Sequence, residues 1–236
     1  MAETKPKGTR MVSCPEPFAP LFERAESQVE KDFSDLERKP EEAKLLINSE
    51  RYLLVRSESF SLDLQMELRK TFGEAGARQL RYKIAKSIGT RDARTYQERH
   101  PEMNDPTLKL ALGPVRFAYT GWAYVELLPE CNPAPDPDEY LLVYHHPYSF
   151  EADAYLENGV QTDATICQMS AGYSAGWCGV SYDLELDAQE IACRARGDEH
   201  CTFVMASPWQ LRAHIDEWTR RFTGGAAPSD TEQGVP

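Results

Sequence analysis

Apolar side chains recur along this chain in two rhythms. Over residues 17–39, Phe18, Leu21, Phe22, Ala25, Val29, Phe33 and Leu36 fall at steps of three and four, the spacing of one helical face. Pro40 closes that segment, because proline cannot continue the backbone hydrogen-bond ladder. Residues 45–55 hold two short apolar runs around the polar Asn48-Ser49-Glu50, which predicts a β-hairpin. Ser61 is placed to cap a second helix with Leu62, Met66 and Leu68 inward, and Gly73 ends it. Helix resumes over residues 74–99, where Ala77, Leu80, Ile84 and Ile88 keep the helical repeat, with Gly89 as a point of bending.

From residue 108 the rhythm shortens. Val115, Phe117 and Tyr119, then Trp122, Tyr124, Glu126 and Leu128, alternate, and Tyr119-Thr120-Gly121 reads as a turn between antiparallel strands. Residues 129–138 hold four prolines and form a surface loop, and residues 140–144 return as a strand. Residues 150–156 read as a short helix. Residues 165–177 are small, apolar and punctuated by glycine, so strand and helix stay open there. Residues 188–195 are expected to be helical, Gly197 turns the chain, and residues 201–205 form a strand. Ser207-Pro208 opens a last helix with Leu211, Ile215, Trp218 and Phe222 in one stripe, stopped by Gly224-Gly225. The class is α+β: an N-terminal helical segment and hairpin, an antiparallel meander with packed helices, and a small C-terminal lobe. Residues 1–13 and 223–236 read as loose tails.

Length and charge narrow the function. The 236 residues suffice for one substantial domain. A net charge of -12 repels phosphate backbones and anionic lipid surfaces, so neither nucleic acid nor membrane is an expected partner. There is neither an apolar run long enough to span a bilayer nor an apolar stretch among the first residues, so a cytoplasmic protein is expected. In that compartment Cys14, Cys131, Cys167, Cys178, Cys193 and Cys201 are read as buried thiols or metal ligands.

The strongest chemical signal is Glu190-x2-Cys193-x7-Cys201. On a helix Glu190 and Cys193 would share a face, and Gly197 would return Cys201 to the same point. A closed tetrahedral zinc site needs a fourth ligand, from Cys167 or Cys178. Three thiolates and a carboxylate around a divalent ion leave a charge of about -2, which Arg194 and Arg196 would offset. The bland alternative is two semi-buried cysteines and a surface glutamate. Gly172-Tyr173-Ser174-Ala175-Gly176 matches the G-x-S-x-G nucleophile elbow, but a tightly packed small-residue segment explains it better. In a strand, one of His145 and His146 faces inward, beside Tyr144 and Tyr148. Lys109, between two leucines, reads as a solvent-exposed lysine. No dinucleotide or nucleoside-triphosphate cradle occurs.

Two segments carry a family resemblance. Residues 167–177, Cys-Gln-Met-Ser-Ala-Gly-Tyr-Ser-Ala-Gly-Trp, with Glu190-x2-Cys193-x-Ala195-x-Gly197-Asp198-x2-Cys201-x-Phe203, resemble a vinyl-4-reductase domain, here spanning residues 145–206. Upstream, Ser87-Ile-Gly-Thr-Arg-Asp-Ala93, Leu108-x4-Gly113-x-Val115 and Ser149-Phe-Glu-Ala-Asp-Ala154 resemble the N-terminal sensor of XylR-type activators of aromatic catabolism. The resemblance implies a zinc ion on Cys167, Glu190, Cys193 and Cys201. It also implies a homodimer formed through residues 14–58, and a ligand-sensing domain over residues 59–222 that holds an aromatic effector beside the metal lobe.

By position, the pocket would be lined by Lys109, Phe117, Tyr144, His146, Tyr173 and Trp177. Lys109 and His146 stand where the family's histidine and tryptophan are expected, which would favour a carboxylate-bearing effector. The chain is expected to be a sensor without its own output module, acting through a transcription-factor or kinase partner, and not an enzyme. The runner-up is a reductase or accessory protein of tetrapyrrole or aromatic metabolism, for which no hydride-donor site is recognisable.

Overall fold

The computed structural model describes residues 11–223. Two sheets and six α-helices are present among them. A five-stranded sheet runs in the order β1 (Val12–Ser13), β5 (Ala123–Leu127), β6 (Leu141–Ser149), β8 (Cys201–Ala206), β7 (Asp187–Ala192). β1 pairs parallel to β5, and the other pairs are antiparallel. A separate three-stranded meander comprises β2 (Leu36–Lys39), β3 (Lys44–Ile47) and β4 (Glu50–Tyr52).

The helices are α1 (Ala19–Ser34), α2 (Leu64–Arg99), α3 (Pro106–Thr120), α4 (Phe150–Glu157), α5 (Gln168–Tyr182) and α6 (Pro208–Thr223). Residue alternation decides what each sheet face meets. On β6 and β8, Leu142, Tyr144, Phe203 and Met205 face the main core with α3 and α5, while Val143 and Val204 face Ile215 and Trp218 of α6. α2 covers α5, and α1 covers α3.

The hairpin forms as expected around Asn48 and Ser49, both with positive φ, and Gly73 breaks the long helical stretch. Four expectations change. The first helix stops at Ser34, and the residues after it pair as β2. Val12–Ser13, read as tail, form a strand, whereas residues 1–10 and 224–236 lie outside the described residues.

The third change is residues 106–120, which are a helix rather than strands. Asp105 caps it by accepting from the Leu108 N–H at 2.9 Å, Pro106 occupies its first turn, and Gly121 closes it in a left-handed conformation. The alternation misled because this helix is buried over most of its surface, including Leu108, Leu110, Ala111, Leu112, Val115 and Phe117, so no polar face marks its period. The fourth change is residues 187–192, which are strand, pinned by pairing with β8 and bulged between Glu190 and Ala192.

Glycines set the spacing between α2 and α5. A Cβ on Gly89 would lie 2.2 Å from the Tyr173 carbonyl oxygen; on Gly172, 2.2 Å from that of Tyr82; on Gly176, 2.2 Å from that of Lys86. The G-x-S-x-G string is therefore a helix-packing surface and not a nucleophile elbow, and Gly89 marks a close approach instead of a bend.

Candidate functional site

β7 and β8 form an antiparallel pair joined by a short 3-10 turn, Arg194–Arg196, which Gly197 ends at φ 101°. This knuckle brings Glu190 and Cys193 beside Cys201, the first residue of β8. Cys167, which immediately precedes α5, reaches the same point from above. One ligand atom from each of Cys167, Glu190, Cys193 and Cys201 lies within 4.8 Å of every other, and all four residues are buried. The Cys167 and Cys201 sulfurs are 3.7 Å apart, and those of Cys201 and Cys193 are 4.0 Å apart. Tetrahedral coordination with metal–sulfur bonds of about 2.3 Å puts sulfurs roughly 3.8 Å apart, so the spacing fits a shared cation. Cys178 lies elsewhere, in the wall of the apolar cavity.

Glu190 is the second sign. Its Oε2 accepts from the Cys167 N–H at 2.7 Å, while Oε1 is buried with no hydrogen-bond partner among the described residues. A buried carboxylate oxygen left in that state is costly unless a cation meets it. Burial pushes the Glu190 carboxyl and the Cys167 thiol well above their usual ranges, while the neighbouring Cys167 and Cys201 thiols pull Cys193 down. A divalent cation would let all four ionise together. The arginines expected to offset the charge do otherwise. Arg194 pairs with Asp153 and Arg196 with Asp198. Backbone N–H groups approach the site instead: that of Arg194 lies 3.4 Å from the Cys201 sulfur.

Next to this cluster, Glu151 is fully buried and paired with Arg81 at 2.5 Å. It also accepts from the N–H groups of Met169 and Ser170, at 3.1 and 2.8 Å, and from the Ser170 hydroxyl at 2.7 Å. It thereby caps the first turn of α5, just after Cys167. Sequence reading missed this pair, because the partners lie 70 residues apart.

β8, which carries Cys201, also walls an apolar cavity together with β5 and β6. His146 on β6 stands opposite Cys201, Tyr144 opposite Phe203 and Leu142 opposite Met205. The cavity has an empty volume of about 390 Å³. Its walls include Phe117, Tyr144, Tyr173 and Trp177, with Leu110, Gly113, Pro114 and Ser174. Four of the six pocket residues read from the sequence are therefore together. His146 is fully buried just behind them, its ring 4.4 Å from that of Phe203, 5.4 Å from Tyr144 and 6.2 Å from Phe117. Neither ring nitrogen has a partner among the described residues, and burial pushes the imidazole down to about 3. Tyr148, expected beside it, points outward because β5 and β6 shift register between Tyr124 and Glu126.

Residues 32–130 match the family model described as an activator of aromatic catabolism, XylR_N. The match ends before residues 145–206, which carry the vinyl-4-reductase resemblance, and the family is one of activators rather than enzymes. The phenol regulator MopR of Acinetobacter guillouiae is 27% identical over 167 residues, covering 71% of this chain and 29% of MopR, so the chain spans less than a third of that relative. The phenol-responsive sensory domain of the transcription activator PoxR, solved with phenol, superposes with a TM-score of 0.67 at 21% identity, covering 82% of this chain and 95% of that one. That likeness establishes a shared fold.

Lys109 lies outside the cavity it was expected to line. It sits in the first turn of α3, and its backbone oxygen accepts from Trp177 Nε1 at 2.8 Å. Its side chain instead lines a separate open cleft with Lys86, Arg94, Asp183 and Glu185, where acids stand among the cations. The pocket place was implied only by the family resemblance, and the solvent-facing lysine read from the residues themselves fits this open cleft. No helix among the described residues is long and apolar enough to cross a membrane.

Proposed function

We propose that this chain is a sensor of small neutral aromatic compounds, holding its effector in the cavity walled by Phe117, Tyr144, Tyr173 and Trp177. One observation carries the reading: an apolar chamber walled by Tyr144 of β6 and Met205 of β8, with Cys201 of a buried Cys3Glu cluster at the start of that same β8. Its support from relatives is that MopR is a phenol regulator and PoxR carries a phenol-responsive sensory domain.

Zinc is the metal the donors suit, because thiolates select soft ions and four protein ligands leave no open position for water. The ion would brace the knuckle and hold β8 and the start of α5 in place. Residues 14–58 would form the dimerising arm and residues 59–222 the sensing domain. Output would run through transcriptional control, by a linked module or a partner, in the cytoplasm.

The chamber's chemistry replaces the carboxylate effector expected from Lys109 with a neutral one. No cationic side chain lines it among the described residues, and the Tyr144 hydroxyl and the His146 ring nitrogens on β6 have no hydrogen-bond partner there. Burying a carboxylate there without a cation would cost several kcal/mol. Thermal-shift titration checks this: phenol is expected to raise Tm reversibly, and benzoate at equal concentration to leave it unchanged. Stabilisation by benzoate at or above that by phenol would overturn the neutral-effector reading.

A further inference from the structure

Arg116 is buried, with 6% of its surface exposed, yet it has no carboxylate within ion-pair distance among the described residues. Its Nε has no hydrogen-bond partner there either. What it does touch is informative. Its guanidinium lies 5.1 Å from the ring centre of Tyr96 and 5.8 Å from that of Trp177. Its Nη2 donates to the Tyr52 hydroxyl at 2.8 Å, and that hydroxyl donates in turn to Glu50 at 3.3 Å. A buried cation with aromatic faces and one phenolic oxygen for company is held by geometry more than by charge.

Its neighbours lie on two different parts of the molecule. Trp177 is a cavity wall, stacked on Tyr173, which donates to Asp92 at 2.9 Å. Gly113 gives Trp177 its room, since a Cβ there would lie 2.7 Å from the indole. Tyr52 belongs to β4, the last strand of the small meander. Directly after it come Leu53, Leu54 and Val55, which are 78%, 86% and 56% exposed. The meander's other polar ties to the body are Arg99 to the Asn48 carbonyl at 2.6 Å and to Glu50 at 3.5 Å, and Asn48 to Asp32 at 3.4 Å. Arg116 is thus the tie that runs from the meander directly to a cavity wall.

We infer that Arg116 is a positioning residue that couples the Trp177 wall of the effector cavity to β4 and the exposed apolar strip at residues 53–55. The inference rests on the aromatic-sensor reading for its ligand, though the coupling itself does not need one. An effector that presses Trp177 toward one position fixes the guanidinium, which fixes Tyr52. Only the difference in contacts between the two Trp177 positions can be transmitted.

Hydrogen exchange read by mass spectrometry, on the full chain, tests this in two arms. Phenol is the probe in the first. It is expected to slow exchange at residues 173–177 and at 50–55. Tyr52→Phe removes one oxygen on a half-exposed edge strand, and is expected to abolish the effect at 50–55 while preserving that at 173–177 and keeping phenol affinity within about twofold. Arg116→Lys keeps the charge but loses the planar stacking, and is expected to weaken phenol about tenfold. A full phenol response at 50–55 in Tyr52→Phe would overturn the coupling. The second arm uses no ligand. Trp177→Phe is expected to speed exchange at 50–55 in the parent chain and to add nothing in the Tyr52→Phe background. Equal increments in both backgrounds would overturn the coupling. Absence of any phenol effect on exchange in the parent would instead count against the sensor reading, with the ligand-free arm still deciding the coupling.

Discussion

At the scale of single residues, burial turns ordinary side chains into obligations. Three thiols and a carboxylate are enclosed at the knuckle, and the unpartnered Glu190 Oε1 would be satisfied by a cation at the centre of the cluster. Purified protein is expected to contain about one zinc per chain, and Cys193→Ser to lose it together with at least about 3 kcal/mol of stability. Elemental analysis and urea unfolding check the two halves, and metal-free protein of unchanged stability would remove the metal from the account. The Arg81–Glu151 pair is a second such obligation. Arg81→Met strands a fully buried carboxylate and is expected to cost about 3–5 kcal/mol in denaturant unfolding. Replacing Glu151 by leucine as well should recover only part, because Glu151 also caps α5 through Met169 and Ser170.

At the scale of elements, α2 and α5 lie close because three glycines leave no side chain between them. Gly172→Ala would put a methyl carbon 2.2 Å from a backbone oxygen, which no rotamer change relieves. Urea unfolding is expected to register a loss of about 3 kcal/mol, the upper end for overpacking. The separation of these helices also places Tyr173 and Trp177 on the cavity wall, so the same substitution should weaken phenol binding. A stable Gly172→Ala protein with unchanged affinity would mean the helices do not set the wall.

At the scale of the whole molecule, β8 carries both Cys201 of the cluster and Met205 of the chamber wall, so the two should fail together. Stripping the metal with a strong chelator is expected to lower Tm and abolish phenol stabilisation in the same titration, measured by calorimetry. Phenol binding that survives in metal-free protein would separate the two. The strip Leu53-Leu54-Val55 is exposed and apolar. If residues 14–58 are the dimerising arm, Leu54→Glu should shift the protein toward monomer in sedimentation velocity without lowering Tm by more than a few degrees.

Local chemistry alone determined much of this protein. The Asn48-Ser49 hairpin needs only turn residues, the start of α6 needs only the first-turn Pro208, and the Glu190, Cys193 and Cys201 set needs only donors that prefer a soft ion. Two groups of facts needed the folded chain. Cys167 joins the cluster, Arg81 meets Glu151 and Arg116 meets Tyr52 and Trp177 through contacts between elements far apart in sequence, which spacing cannot encode. Residues 106–120 and 187–192 changed class because a helix buried nearly all round has no polar face to mark its period, and because the pairing of β7 with β8 overrode local helical preference. Lys109 lies outside the chamber because a resemblance of position carries no side-chain direction; periodicity reports which face is wet, and where every face is dry only packing decides.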